Sequence, residues 1–407
     1  MGAHGQPYGT REETLEAFAA HVSRGKVDAF RALGIDLVLG RREGPFFWDA
    51  FDGRRFYNCH CNGGVFNLGH RNPAIVAAMR NALERDELDV GNHHLVSGFK
   101  AELGRRLAAT TRDRLPGAVF SPSGSEAVEV AIKTATASTR RRGVVSVHGA
   151  YHGHTGLAAS AADAKYHEPY GLHLPGFVHV RHDDLAAMDA AIRDDTAIVL
   201  LETIPATLGI PVPGDDYLAG VQRLCRERGA VFALDEVQTG LGRSGRMWCY
   251  EHDGVQPDIL VTGKGLGGGV YPMSATLMTP DLHRLYDDDP FVHVSSYGGS
   301  DLGCIIALAV LDIIEAPGFL ERVEEVGRHI AKELAAIPCV VRGRGLFLGL
   351  AWPDEGAGIL AAKACIDAGV FVVFANNDTS VLQFLPPLTL TDGEVEELCG
   401  LVVDALA

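Results

Sequence analysis

Short apolar runs alternate with amphipathic stretches through the middle of the chain, from about residue 75 to residue 315. The apolar runs have the length and β-branched content of strands, and the stretches between them repeat their apolar residues at helical spacing. We therefore expect strands at residues 117–121, 143–147, 197–201, 230–234, 258–261 and 275–278, with helices between them that include 126–139 and 217–228. Such alternation predicts an α/β fold with a mainly parallel sheet.

The two ends of the chain have other patterns. Residues 11–31 form one helical stretch, which polar and aromatic alternation in GPFFWDAFDGRRFYN follows. Residues 316–407 hold amphipathic helical stretches around one short strand at 344–351. This predicts a large domain of residues 66–315 and a smaller α+β domain that residues 1–65 and 316–407 build together.

Composition narrows the class of protein. The formal net charge is −16, and the 36 Lys and Arg residues form no runs, which argues against a nucleic acid or an anionic membrane as partner. The eight cysteines are spread thinly and several lie in apolar runs, as reduced thiols do. The N-terminus opens polar, and no apolar run reaches the roughly 18 residues of a membrane span. We expect a soluble, cytoplasmic protein.

Lys264 stands out because it ends the apolar run ILVTGK and five residues of GLGGG follow it. The glycines let backbone approach a ligand closely. An amine in such a place is desolvated and loses its proton readily, as the formation of a Schiff base requires. The alternative is a lysine whose ammonium group reaches the protein surface, and residue 264 alone favours that alternative.

Three other strand ends carry distinctive residues, and ligands of open α/β sheets bind at such ends. Asp235 follows AVFAL, where an acid needs a cationic partner such as a protonated ring nitrogen, or serves as a helix N-cap. Ser123, Gly124 and Ser125 precede a helix and are suited to bind phosphate, or simply to cap that helix. Tyr151 follows VVSVH and could stack on a flat cofactor.

Two further motifs are weak. Gly263, Gly265 and Gly268 satisfy the dinucleotide fingerprint, but glycine, valine, tyrosine and proline follow instead of a helix. His148, His152 and His154 lack a supporting carboxylate or cysteine, so we expect no metal site.

In combination and in this order, the motifs SGSEAVEVAIK, YHGHT and DEVQTGLGRSG…PDILVTGKGLGGGVYPMSA resemble the class III (ω-) aminotransferases, which are pyridoxal 5′-phosphate (PLP) enzymes of fold type I. The similarity extends from WDAFDGRRFYN to LPPLTLTDGEVEE. It implies a mainly parallel, seven-stranded sheet between helices, a smaller α+β domain, and an active site that two subunits of a homodimer share.

The resemblance also implies roles for individual residues. Lys264 would hold PLP as a Schiff base and then move a proton between the substrate Cα and the cofactor, and Asp235 would pair with the ring nitrogen. The expected cofactor contacts are Ser123, Gly124, Ser125, Tyr151, His152, Glu202, Asp235, Val237, Gln238, Lys264 and Ser296. Ser296 stands where the family usually has threonine, which binds the phosphate of the partner subunit's site.

Three departures from the family pattern concern the substrate. Gln383, which Phe384 and Leu385 separate from Pro386, replaces the arginine that clamps a substrate carboxylate. His154 and Thr207 replace a second arginine and the glutamate that gates it in some members. An arginine–carboxylate pair is stronger than an amide hydrogen bond. We therefore expect a specialised substrate (an amine, an amino sugar or an intermediate of secondary metabolism), unless Arg342 or Arg344 supplies a relocated cation. A surface or sheet-edge role for these two arginines is favoured.

The favoured function is transfer of an amino group from a donor to an aldehyde or ketone acceptor by a ping-pong route. The same residues also serve class III racemases, epimerases, aminomutases and decarboxylases, and the sequence leaves that choice open. A non-catalytic PLP-fold protein would usually lack Lys264 or Asp235, and a nicotinamide-dependent oxidoreductase rests on the glycine pattern alone.

Overall fold

A computed structural model describes residues 6–85, 88, 90–91, 95–172 and 174–407. The N-terminal part begins with α1 (Arg11–Phe18) and α2 (Arg24–Ala32), which a π-helical turn at Ala19–Ser23 joins. The expected helix at 11–31 is therefore present with a π turn inside it. A small sheet follows, made of β1 (Leu39–Glu43), β2 (Phe46–Asp49) and β3 (Arg55–Asn58). A single turn, α3 (Cys61–Gly64), and then α4 (Pro73–Leu83) and α5 (Gly98–Thr110) lead into the central part.

The central sheet has seven strands in the order β4-β10-β9-β8-β7-β5-β6, and β10 runs in the direction opposite to the other six. This confirms the expected mainly parallel sheet. Its strands are β4 (Gly117–Ser121), β5 (Gly143–Val147), β6 (Phe177–Val180), β7 (Thr196–Glu202), β8 (Val231–Asp235), β9 (Ile259–Thr262) and β10 (Ser274–Met278). The helices that accompany it are α6 (Gly124–Thr139), α7 (Gly156–Ala161), α8 (Leu185–Ala191), α9 (Tyr217–Arg228), α10 (Pro280–Asp288) and α11 (Asp301–Ile314).

Both faces of the central sheet are buried. Along β7, Val199 and Leu201 pack into one apolar cluster, while Ile198 and Leu200 pack into a second cluster on the opposite face. Side chains alternate between the faces of a strand, and a parallel sheet with helices on both sides needs apolar residues at every position. This is why β7 contains a continuous apolar run.

The C-terminal part contains α12 (Phe319–Leu334), α13 (Ala357–Asp367) and α14 (Asp392–Leu406) with a four-stranded sheet in the order β11-β12-β15-β14. The strands of this part are β11 (Val340–Arg344), β12 (Phe347–Ala351), β13 (Val370–Phe371), β14 (Val373–Ala375) and β15 (Asp378–Phe384), and β13 joins the N-terminal sheet beside β3. Residues 39–58 and 370–371 therefore share one sheet. The domain boundaries at residues 66 and 315 stay a prediction.

The expectation of one strand at 344–351 is wrong. The structure has a β-hairpin there, in which β11 pairs antiparallel with β12. Gly345 lies in the turn with φ of 56°, a conformation that favours glycine. Within the described ranges, no single helix is long and apolar enough to cross a membrane. Taken together, α11 and α12 have a sufficient length and apolar composition, but the two helices are bent by 67° relative to each other.

Candidate active site

Four neighbouring strands bring the site residues to one edge of the central sheet. Glu202 and Asp235 are the last residues of β7 and β8 and are partners in the register of these strands. Lys264 follows β9 by two residues, and His152 follows β5 on the other side of β7. The carboxyl ends of parallel strands meet at one edge, where α/β proteins bind their ligands.

A cavity opens at this edge. It is lined by Gly124, Ser125, Tyr151, His152, Gly153, Glu202, Asp235, Val237, Gln238 and Lys264. Sequence reasoning named nine of these ten as cofactor contacts and missed Gly153. Ser123 and the exposed Ser296, also expected as contacts, do not line this cavity. The roles of individual residues toward the cofactor stay predictions.

Asp235 is almost fully buried, with 6% of its surface exposed, and both of its carboxylate oxygens are bonded. Oδ2 lies 2.8 Å from His152 Nδ1, and Oδ1 accepts a hydrogen bond of 3.0 Å from the backbone N–H of Val237. Burial lowers the pKa of His152, but the hydrogen bond and the charge of Asp235 raise it by more. The buried carboxylate thus has a partner that can carry the opposite charge, which it needs in this environment.

Lys264 has a left-handed backbone, with φ of 45°, at the start of a 3-10 turn that runs to Gly267. Its Nζ donates a hydrogen bond of 2.8 Å to Oε1 of Gln238. Burial lowers the pKa of the amine by more than the charges of Asp235 and Glu202 raise it. A larger fraction of the amine is therefore unprotonated and nucleophilic than for a lysine in solvent.

Glu202 lies beneath Tyr151 at the same edge. Its Oε1 accepts a hydrogen bond of 2.9 Å from the backbone N–H of Tyr151, which fixes the start of the segment that carries this ring. Burial raises the pKa of Glu202 to about 7, against the lowering effect of His152. The carboxyl group can therefore hold a proton near neutral pH.

The N-terminus of α6 forms one end of the cavity. Ser123 caps the helix, since its Oγ accepts a hydrogen bond of 3.2 Å from the N–H of Glu126. Gly124 and Ser125 lie in the first turn, where helical N–H groups have no acceptor within the helix and favour an anion. A methyl group at Gly153 would fall 2.1 Å from Ser125 Oγ, so only glycine allows residues 151–154 to approach this turn.

The model of the family described as Aminotransferase class-III matches residues 30–406 of this sequence. The chain belongs to this family. Its members are PLP-dependent, so the chain is a PLP-dependent class III aminotransferase.

Comparison with individual proteins agrees with this assignment. An uncharacterized aminotransferase from Archaeoglobus fulgidus is 47% identical over 392 residues, which make up 95% of this chain and 92% of that protein. Ornithine aminotransferase from Toxoplasma gondii ME49 superposes with a TM-score of 0.88 at 25% identity, over 98% of this chain and 96% of that one. Adenosylmethionine-8-amino-7-oxononanoate aminotransferase from Methanocaldococcus jannaschii gives a TM-score of 0.87 at 26% identity, over 98% and 99% of the two chains.

The residues of this class III aminotransferase fit the cofactor. The cavity combines an amine with a lowered pKa, a buried carboxylate, a helix N-terminus with Gly124 and Ser125, and the ring of Tyr151. PLP needs these same four kinds of group, for its aldehyde, its ring nitrogen, its phosphate and its ring face. A methyl group added at Gly124 would lie 3.1 Å from Val237 Cγ1, so the backbone of Gly124 packs closely against the Val237 side chain at this end of the cavity.

None of the three residues that depart from the family pattern lines the cavity. His154 is exposed, with its ring 5.3 Å from the Tyr151 ring, beside the cavity. Thr207 donates a hydrogen bond of 2.9 Å from Oγ1 to the carbonyl of Gly149. Gln383, which is 4% exposed, donates one of 2.9 Å from Nε2 to the carbonyl of Ala206. The side chains of Thr207 and Gln383 thus bind backbone and do not line the cavity.

The two arginines considered as relocated cations have other partners. Arg344 binds both oxygens of Asp253 at 2.6 and 2.9 Å. Arg342 donates to the carbonyl of Gly209 at 2.8 and 2.6 Å and lies 3.7 Å from Asp378. Both residues are on β11, an edge strand, so the sheet-edge role fits them and neither lines the cavity.

Sequence reasoning also missed the turn α3, which lies next to the reactive lysine. A methyl group at Gly63 would be 3.3 Å from Lys264 Nζ and 3.5 Å from Gln238 Nε2. The only signal in the sequence is the pair Gly63–Gly64 after a polar stretch, which indicates close backbone approach but not what the backbone approaches. Nearly 200 residues separate α3 from Lys264, so only the fold brings them together.

Proposed function

We propose that this aminotransferase takes its amino group from a donor without an α-carboxylate, such as an amine or an amino sugar of secondary metabolism, and passes it to an aldehyde or ketone. One observation carries this proposal: the amide of Gln383 is bound to the carbonyl of Ala206 where the family pattern has a carboxylate-binding arginine. Among the described residues, no arginine lines the cavity. A carboxylate would therefore lose its strongest type of partner.

The chain's own residues have distinct tasks in this proposal. Bound PLP supplies a protonated ring that accepts electrons from the substrate. Asp235, which His152 contacts on its other side, would pair with the ring nitrogen and favour its protonated form, because a buried carboxylate stabilises a nearby positive charge. The Lys264 amine takes the proton from the substrate Cα, and Gln238 holds the amine in place by the bond of 2.8 Å. Tyr151, which lines the cavity, would pack against the cofactor ring and exclude water from it.

We further propose a ping-pong order, in which the donor leaves as a carbonyl product before the acceptor binds. The test is a half-reaction with donor alone, drawn from a panel of amines, amino sugars and α-amino acids. One equivalent of carbonyl product per subunit, formed without acceptor, supports amino transfer. Racemised donor or carbon dioxide in place of that product contradicts it and supports the racemase, epimerase or decarboxylase alternatives. Preference for α-amino acids over amines would contradict the proposed donor class.

A homodimer with a shared active site is part of the proposal. Ser296 lies in a segment with four large exposed apolar residues: Phe291, Val292, Val294 and Tyr297. Leu95 and Val96 are also exposed, by 79% and 100%. Exposed apolar residues at this density are typical of an interface. Light scattering tests the dimer. Ser296→Ala tests the shared site, because it should weaken PLP binding without dissociating the dimer if Ser296 reaches the partner's phosphate.

A cytoplasmic location is also proposed. It is supported by the eight cysteines, all of which are free thiols, and seven of which are buried. Such thiols persist in a reducing compartment. Recovery of the protein in the periplasmic or extracellular fraction of the source cells would contradict this location.

A further inference from the structure

The turn α3 closes one side of the space around the Lys264 amine. The backbone at Gly63 approaches so closely that one added methyl group would touch Nζ. The amino group of a donor must arrive at this amine, because Lys264 exchanges places with it during transfer. Residues at the start of α3 are therefore placed to contact the donor.

The backbone of α3 is strained. Cys61, Asn62 and Gly63 all have left-handed conformations, with φ of 50°, 50° and 67°. Each of the two non-glycine residues costs about 1–2 kcal/mol in this conformation. Asn58 offsets part of that cost, since its Oδ1 accepts from the N–H of Cys61 at 2.8 Å and its carbonyl accepts from the Cys61 thiol at 3.2 Å. Strain of this kind is concentrated at functional sites.

His60 is the residue that enters this strained turn. Its ring is half-buried and packs edge-on against Phe371, with 6.5 Å between the ring centroids. Within the described part of the chain, neither ring nitrogen has a hydrogen-bond partner. Burial first, and then the charge of Lys264, lower the pKa of His60 to about 4. The imidazole is therefore neutral at physiological pH and offers one donor and one acceptor. The carbonyl of His60 accepts a hydrogen bond of 2.9 Å from the N–H of Gly63, so His60 lies one helical turn before the residue whose backbone approaches Lys264 Nζ.

We propose that His60 is a specificity-determining residue that hydrogen-bonds a neutral polar group of the donor, such as a hydroxyl on the carbon next to the amine-bearing carbon. The inference rests on the proposed donor class and names the group that replaces the carboxylate. A neutral imidazole gives one uncharged hydrogen bond, which suits a hydroxyl, whereas a carboxylate prefers a cation with two parallel donors. His60 contributes to the binding of the donor, whereas Lys264 and Asp235 take part in the reaction.

The first test measures binding without turnover. The probes are the stable reduced N-(5′-phosphopyridoxyl) conjugates of L-alaninol and isopropylamine, which differ by one hydroxyl group. Calorimetry on the cofactor-free full chain should give about tenfold tighter binding of the alaninol conjugate to wild type, the effect of one hydrogen bond of about 1.4 kcal/mol. His60→Phe should abolish this preference and leave the affinity for the isopropylamine conjugate unchanged, which also verifies folding.

Two further variants complete the set. His60→Asn keeps a donor and an acceptor and should retain part of the preference. His329→Phe makes the same chemical change on the exposed surface of α12 and should behave as wild type. Equal binding of the two conjugates by wild type, or an undiminished preference in His60→Phe, overturns the inference.

The second test separates this inference from the proposed donor class. The holoenzyme is given L-alaninol, isopropylamine or L-alanine, which carry a hydroxymethyl, a methyl or a carboxylate group at the same carbon. For wild type we expect the highest kcat/KM with alaninol, and for His60→Phe a roughly tenfold rise in KM for alaninol with little change in kcat. Preference for alanine contradicts the donor class, whereas the calorimetric result still decides whether His60 binds a hydroxyl.

Discussion

Oδ2 of Asp235 and Nδ1 of His152 are 2.8 Å apart and buried, so the acid at the end of β8 is already paired with a base before any ligand binds. The charge and hydrogen bond of Asp235 raise the pKa of His152 although burial opposes this. His152 in turn gives the buried carboxylate of Asp235 a hydrogen-bond partner that can carry the opposite charge. A carboxylate at this place is the kind of partner that a protonated ring nitrogen requires.

Asp235→Asn should therefore impair both the protein and its chemistry. The variant removes the charge that balances His152, which we expect to cost about 3 kcal/mol of unfolding free energy. Turnover should fall about a hundredfold, equal to about 2.7 kcal/mol of barrier, because the ring nitrogen loses its partner. Urea denaturation and steady-state kinetics measure the two effects. Asp354→Asn, on the surface, is the matched control, and equal turnover in both variants would refute the role of Asp235.

Lys264→Ala should abolish covalent attachment of PLP and nearly all turnover. In wild type, borohydride reduction of the holoenzyme should fix one phosphopyridoxyl group per chain at residue 264, because among the residues that the structure describes this amine alone combines a lowered pKa with a place in the cavity. Peptide mass spectrometry locates the label. Lys332→Ala, on the exposed side of α12, should label as wild type. A label that persists in Lys264→Ala would show that another lysine carries the cofactor.

The buried carboxyl of Glu202 should make stability depend on pH. Its pKa is about 7 in the folded chain and 4.5 as a reference value. Between these values the folded state binds more protons than the unfolded state, so the free energy of unfolding falls as pH rises. Glu202→Gln should reduce this slope in urea titrations of the cofactor-free chain. Glu236, with a pKa also raised to about 7 by burial, leaves a residual slope.

Glu396→Gln provides the control for that titration, because Glu396 is exposed on α14. It should keep the full wild-type slope. If Glu202→Gln keeps it as well, Glu202 is ionised throughout this pH range in the folded chain.

Gly63→Ala should crowd the reactive amine. The added methyl group lies 3.3 Å from Lys264 Nζ, so the access of a donor should suffer, and we expect kcat/KM to fall about tenfold, or by about 1.4 kcal/mol. Gly53→Ala is a matched control, since Gly53 has φ of 73° and a methyl group there meets nothing within 4 Å. Both variants carry a similar backbone strain of about 1–2 kcal/mol. A similar loss of activity in both would attribute the effect to strain.

Gln383→Arg tests whether the missing cation decides the donor class. An arginine at this position should raise kcat/KM for L-alanine by about tenfold or more, since a charge-assisted bond is worth about 1.5–3 kcal/mol. It should not improve isopropylamine, which has no carboxylate. Gln256→Arg adds the same charge at an exposed site and should leave both donors unaffected. No gain with alanine would mean that residue 383 does not face the donor.

Much of the fold could be predicted from local pattern. The six expected strands are present, with ends that differ by one residue at most, because each crosses a sheet buried on both faces and must be apolar at every position. The hairpin at 340–351 was missed because a tight turn at Gly345 interrupts an apolar stretch without a polar loop. A strand of eight residues and two strands of five have nearly the same hydrophobic pattern.

The sequence by itself predicted most of the residues that line the cavity. Lys264 and Asp235 each end or follow a strand, and parallel strands bring their carboxyl ends to one edge, so these two residues could be expected to meet. Gln238 and Glu202 were expected from the resemblance to the family, and they line the same cavity. Only the tertiary structure decided the surroundings of the amine. In the folded chain, Gln383 and Thr207 donate hydrogen bonds to backbone carbonyls. The backbone of Gly63 lies against Lys264, and His60 lies one turn before Gly63. Such contacts join separate sheets and a strained turn, and no periodicity in the chain encodes them.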